Sequence, residues 1–119
     1  MDAVAEGAAA AGGLTVGLLP GPDAQASPPS RHLQVVLFTG LGQARNVPLV
    51  LSAHAVLALA GGWGTLSEIA HALKHRIPVV SLGSWTPVPP GATPDPLLVI
   101  AHTPEEAVKE VLKLARQGK

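Results

Sequence analysis

The chain has no cysteine, no tyrosine, a single phenylalanine and no net charge. Each absence excludes a class of function. Without cysteine there are no disulfides, no thiol nucleophile and no thiolate zinc site. That usage fits a cytoplasmic protein. Lys plus Arg (8) balance Asp plus Glu (8), whereas binding a nucleic-acid backbone needs a clustered positive excess. The basic residues are scattered, except that Lys109, Lys113, Arg116 and Lys119 gather on a solvated face of the last helix. No apolar run reaches the roughly 18–20 residues of a membrane span, and no basic segment precedes the Ala-rich start as in a signal peptide. The expected partner is therefore a small molecule, with no nucleic acid and no membrane.

What the chain does have is apolar mass. Of its 119 residues 47% are hydrophobic and 13% charged, the balance of one globular domain over residues 1–119. At this length roughly two thirds of the unfolded surface can be buried. Asp2 to Ala11 predicts an Ala-rich helix stopped by Gly12-Gly13. Strands are expected at Leu14–Leu19, Val35–Phe38, Ala55–Leu59, Pro78–Leu82 and Leu97–Ile100. A helix is expected over about Gln43–Ala53, although Pro48 suits only a first turn. Leu66, Ile69, Ala70 and Leu73 repeat at helical spacing and predict a buried stripe. The last helix announces itself through Thr103 as N-cap, Pro104 at its first position and Glu106 three residues past the cap. Val108, Val111, Leu112 and Ala115 form its expected apolar face. Alternating strands and helices predict an α/β fold, a Rossmann-like parallel sheet of about five strands flanked by helices. Ligands then sit at the carboxyl ends of the strands. Those ends here are Pro20-Gly21, Gly40–Gly42, Gly61-Gly62 and Gly83–Trp85, all glycine-containing loops able to line one cleft.

The run Leu57-Ala58-Leu59-Ala60-Gly61-Gly62-Trp63-Gly64-Thr65-Leu66-Ser67-Glu68 carries the most chemistry. An apolar strand enters a glycine turn, and the turn opens a helix. Glycines let backbone amides approach an anion, and the helix adds unpaired N–H groups and the positive end of its dipole. A nucleotide-type ligand follows as the first expectation. Glu68 has two readings. It completes a capping box with Thr65, or it faces the cleft from the first helical turn as a ribose ligand or acid/base. Arg45 is equally a phosphate or carboxylate fork and a surface residue near a helix start; Asn46 beside it can hydrogen-bond. Trp63 either stacks on a base or plugs the core, and Trp85 pins its loop. His71 and His75 have metal-ligand spacing, but no third ligand is evident, so no metal is expected. Ser67, Ser81 and Ser84 lack the His/Asp pattern of a nucleophile.

Together these residues resemble the Lonely Guy (LOG) family, also labelled "possible lysine decarboxylase". Its hallmark is Pro-Gly-Gly-x-Gly-Thr-x-x-Glu after an Arg-containing segment. Here the hallmark reads Ala60 to Glu68, and the Arg segment reads Ala44-Arg45-Asn46. The run Gly40 to Asn46 is more similar to the branch of molybdenum-cofactor carrier proteins. The resemblance implies that Gly61, Gly62, Gly64 and Thr65 hold a phosphate, with Gly40, Asn46 and Trp63 nearby. It implies that Arg45 and Glu68 match the catalytic pair of the family's enzymes. Those enzymes hydrolyse N6-modified nucleoside 5′-monophosphates to base and ribose 5-phosphate, and need no cofactor. A carrier would instead hold an AMP-like nucleotide or molybdenum cofactor. Asn46 in place of Lys, and Ala60 in place of Pro, favour the carrier branch. The old decarboxylase label implies pyridoxal, which nothing here supports. The resemblance also implies a first βαβ unit that is missing here, so Leu14–Leu19 is expected to find a new neighbour or leave an open apolar edge, and a homodimer or higher oligomer is expected to cover it. A third reading is a non-catalytic interaction fragment.

Overall fold

The computed structural model describes residues 1–117. Lys119, grouped above with the basic face, lies outside them. The chain forms two compact units, residues 1–45 and residues 46–119.

The first unit holds α1 (Asp2–Ala10), β1 (Val16–Leu19), β2 (Val35–Phe38) and a 3-10 turn over Gly42–Arg45. β1 and β2 pair in parallel, from Val16 opposite Val35 to Leu19 opposite Phe38. Their connection, residues 20–34, contains no helix. It is organised by side chains instead: Ser27 Oγ accepts from Gly21 N at 2.9 Å, and Thr15 Oγ1 donates to the His32 carbonyl at 2.7 Å. Ser30 Oγ donates to Asp2, and this hydrogen bond holds the Asp2 carboxyl below its ordinary range.

The second unit holds α2 (Asn46–Leu51), β3 (Val56–Leu59), α3 (Trp63–Lys74), β4 (Val79–Leu82), β5 (Leu98–Ala101) and α4 (Pro104–Gln117). Its three strands are parallel in the order β3-β4-β5. The α/β class and the five parallel strands are those expected. The one continuous sheet is not: the strands divide into a pair and a triplet. β1 finds its backbone partners in β2, and β3 finds them in β4.

Within the triplet β4 is central, and its side chains alternate between two cores. Val79 points to a cluster with Val50, Ala58, Ile69, Ala72 and Ile77. Val80 points to a cluster with Ala101 and Ala107, flanked by Val99, Val111 and Leu114. That is why the strand reads as an unbroken apolar run.

Three helices differ in detail from the expectation. The helix predicted over Gln43–Ala53 is a 3-10 turn followed by α2, which places Pro48 third, where its missing N–H removes no helical bond. On α3 the buried residues are Ile69 and Ala72, while Ala70 is exposed. On α4 the buried line runs through Ala107, Val111 and Leu114, so Val108 and Leu112 are exposed. The α4 start follows its signals: Thr103 Oγ1 accepts from Glu106 N at 3.1 Å, and Glu106 Oε2 accepts from His102 N at 3.1 Å.

α3 closes on a Schellman motif: Ile77 N donates to Ala72 O at 2.8 Å and Arg76 N to Leu73 O at 3.1 Å. Arg76 takes the left-handed position that glycine usually fills, at φ +59°. Its guanidinium meets Asp95 at 2.8 Å. Asp95 also accepts from Leu97 N at 2.9 Å, and this backbone bond first, then Arg76, holds its carboxyl below the usual range.

Candidate functional site

The site grows from the βα turn after β3. α3 starts at Trp63 with Gly62 as N-cap, and no side chain caps it. Thr65 is therefore inside the helix, and the capping box proposed for Thr65 and Glu68 does not form. The Thr-x-x-Glu spacing was right for a cap, but the turn's glycine takes that position. Leu66 N begins the helical ladder by donating to Gly62 O at 3.2 Å. The N–H groups of Trp63, Gly64 and Thr65 precede that ladder and have no helical carbonyl to reach. They emerge at the positive end of the α3 dipole.

Gly61 makes this geometry possible. It stands at φ +92°, and a Cβ there would meet Thr65 Oγ1 at 2.0 Å. The Thr65 hydroxyl thus packs directly over the glycine. Ala60, where the family hallmark has proline, sits at φ +43°, outside the range a pyrrolidine ring permits.

The turn after β4 supports the turn after β3. Ser84 Oγ donates to the Ala60 carbonyl at 2.6 Å, and Trp85 Nε1 donates to the Gly62 carbonyl at 3.0 Å. Both carbonyls are thereby engaged. The two turns border a shallow, open cleft of about 260 Å³ lined by Ala60, Gly61, Gly83, Ser84 and Trp85. Trp63 and Trp85 stack, with centroids 5.3 Å apart and planes at 29°. Trp85 pins its loop as expected; its bond to Gly62 and its contact with Trp63 follow from the two turns being neighbours across parallel strands.

The remaining candidates fall as follows. Glu68 is half-buried on the second turn of α3, one turn later than expected. Asn46 is 0% exposed, and its Nδ2 donates to Ser67 Oγ at 3.3 Å, tying α2 to α3. Gly40 and Arg45 belong to the first unit. Gly40 has φ +64° after β2, and Gly40 N and Gly42 N donate to the Gly21 and Pro20 carbonyls at 3.1 and 3.0 Å. The two glycine loops of that unit are thus joined. Arg45 ends its 3-10 turn, half-buried. His71 is half-buried and His75 is the C-cap of α3. Among the described residues the three-member group with metal-ligand geometry is elsewhere, at Asp2, Glu6 and His32, whose ligand atoms lie within 4.8 Å of one another. The sequence hides it because His32 comes from the long loop; Glu6 Oε2 and His32 Nε2 lie 3.5 Å apart. No helix among the described residues is long and apolar enough to cross a membrane.

Known proteins share this architecture. The molybdenum cofactor binding protein of the phototrophic bacterium Rippkaea orientalis is 33% identical, with a TM-score of 0.77 over 96% of this chain and 70% of its own. The molybdenum cofactor carrier protein of Chlamydomonas reinhardtii is 35% identical, with a TM-score of 0.75 over 94% of this chain and 68% of its own. A protein of Archaeoglobus fulgidus, named only as uncharacterized, is 39% identical over 108 residues. These cover 91% of this chain but 65% of that relative, so the chain spans just under two thirds of its length. These likenesses agree with the carrier-branch resemblance carried by Gly40–Asn46 and Ala60–Glu68. The match extends over residues 1–111, and the chain belongs to the SLOG cluster4 family.

Proposed function

We propose that this chain binds a phosphate-bearing nucleotide or cofactor, of molybdenum-cofactor type, at the Gly61–Thr65 turn, and holds it without turnover. One observation carries the reading. Gly61, at φ +92°, opens a helix with no side-chain cap, so its first N–H groups have neither a helical carbonyl nor a cap to occupy them. Phosphate oxygens suit such donors. The residues of this turn fit the phosphate of a cofactor, and the carrier proteins named above bind the molybdenum cofactor. In this reading Gly61, Gly62, Gly64 and Thr65 hold the anion. Trp63 lines the ligand, and Asn46 positions α3 through Ser67.

The competing reading is the phosphoribohydrolase that the family resemblance implies, with Glu68 as its testable residue. Calorimetry with AMP, run beside an assay for released ribose 5-phosphate, separates the two. Binding without release is expected. Release that Glu68→Gln abolishes would establish the hydrolase instead. Failure to bind AMP or inorganic phosphate would leave an interaction role and defeat both.

Self-association belongs to the same proposal. Val16, Val35 and Leu37 share one face of the β1–β2 pair and are all exposed. A second copy would cover them. Light scattering at micromolar concentration is expected to give a dimer or larger; a monomer alone would remove this part.

A further inference from the structure

We infer that Trp63 and Trp85 form a stacking shelf for the planar ring of the ligand, a fused nitrogen heterocycle of purine or pterin type. The inference rests on the anion turn proposed above and adds a second subsite to it.

Trp63 is the first residue of α3 and is 78% exposed. A residue plugging the core would be buried, so the exposure removes that role and leaves the stacking one. A large indole left in water at the mouth of a binding turn is the informative kind of exposed apolar surface. Its position is not left to chance. One face lies on Trp85, 5.3 Å between centroids. Trp85 is itself fixed at three points. Its Nε1 donates to the Gly62 carbonyl at 3.0 Å, its carbonyl accepts from the buried Ser81 Oγ at 3.1 Å, and its ring packs against the Val50–Val79 core cluster. The outer face of Trp63 is therefore presented on a rigid base.

The shelf also adjoins the anion turn. Trp63 follows Gly62 directly, and Trp85 lines the same cleft as Gly61. A ligand carrying a phosphate and a flat ring can meet the amides with one end and the indole with the other. Stacking is tolerant of ring identity because every such ring offers a π-face. The shelf thus selects flat fused rings as a class.

The chain has two tryptophans, both in the shelf, so its indole emission reports on this place alone. The experiment compares ribose 5-phosphate, AMP and neopterin monophosphate by calorimetry, on the full chain and on Trp63→Ala and Trp63→Phe. Truncating so exposed a side chain leaves the fold intact, which the thermal midpoint checks. At least one ring-bearing phosphate is expected to bind about five- to a hundredfold tighter than ribose 5-phosphate. Trp63→Ala should erase that advantage and leave ribose 5-phosphate unchanged, while Trp63→Phe keeps most of it. Which of AMP or neopterin monophosphate gains more identifies the ring. An advantage that survives Trp63→Ala, or no advantage at all, overturns the shelf. Adenosine titration keeps the two readings apart. If ribose 5-phosphate does not bind but adenosine quenches the indole emission and Trp63→Ala abolishes its calorimetric binding, the anion turn fails and the shelf stands.

Discussion

Gly61→Ala is expected to lose AMP binding by at least tenfold, roughly 1.4 kcal/mol or more, and to lower stability by about 1–3 kcal/mol. Two penalties act together. The backbone stands at φ +92°, which L side chains rarely adopt. The new Cβ would also lie 2.0 Å from Thr65 Oγ1 and 2.5 Å from Thr65 Cβ. The Cβ of Thr65 is not the far end of a flexible chain, so rotating the side chain cannot relieve the clash. The first turn of α3 must move, and its amides move with it. Gly62→Ala is the matched control, because a Cβ there meets nothing within 4 Å and its φ is −105°. That variant should keep its stability, and any loss of binding would come from crowding the anion alone. Calorimetry and chemical denaturation of both variants check the pair. If Gly61→Ala binds AMP as the parent does, the turn is not where the anion sits.

The contrast between these adjacent glycines marks how far the sequence could be read. The Gly-Gly-x-Gly-Thr run after an apolar strand located the turn, because strand, turn and helix each leave a local signature. Which glycine is indispensable was not legible, since it depends on Thr65 folding back over Gly61. The capping-box alternative fails for a related reason: Thr65 and Glu68 have the right spacing, but a glycine N-cap leaves no side-chain signature. The α3 stripe was nearly right. Leu66, Ile69 and Leu73 fix the helix phase to within one residue, and alanines at 70 and 72 carry too little hydrophobic contrast to refine it. On α4, Val108 and Leu112 are as apolar as Val111 and Leu114, so composition alone could not choose the buried line. β4 was readable because burial on both faces demands an unbroken apolar run. The division of the strands into a pair and a triplet depends on backbone pairing, which side chains record only indirectly. The stacking of Trp63 on Trp85 joins two different turns and has no local trace at all.

The helix phase can be tested where the expected effect on stability is largest. Ile69 is 0% exposed and sits in the cluster of Val50, Ala58, Ala72, Ile77 and Val79. Ile69→Ala removes three methyl(ene) groups from a site walled by strands on one side and helix α2 on the other. Neither wall can collapse freely, so the cost is expected at about 2–5 kcal/mol. Set against a typical total of roughly 5–15 kcal/mol, that is a large share. Ala72 is equally buried, and Ala72→Leu forces volume into a filled space at about 1–3 kcal/mol. Ala70→Lys, on the exposed face, should stay within about 0.5 kcal/mol. Urea denaturation with an unchanged m-value measures all three. The order Ile69, then Ala72, then Ala70 follows from the observed phase alone. The sequence stripe would instead make Ala70→Lys severe and Ala72→Leu mild. If that reversed order were found, α3 would be rotated on its sheet. The packing of α3 on β3 and β4, which sets where the Gly61–Thr65 turn sits, would then differ from the one described.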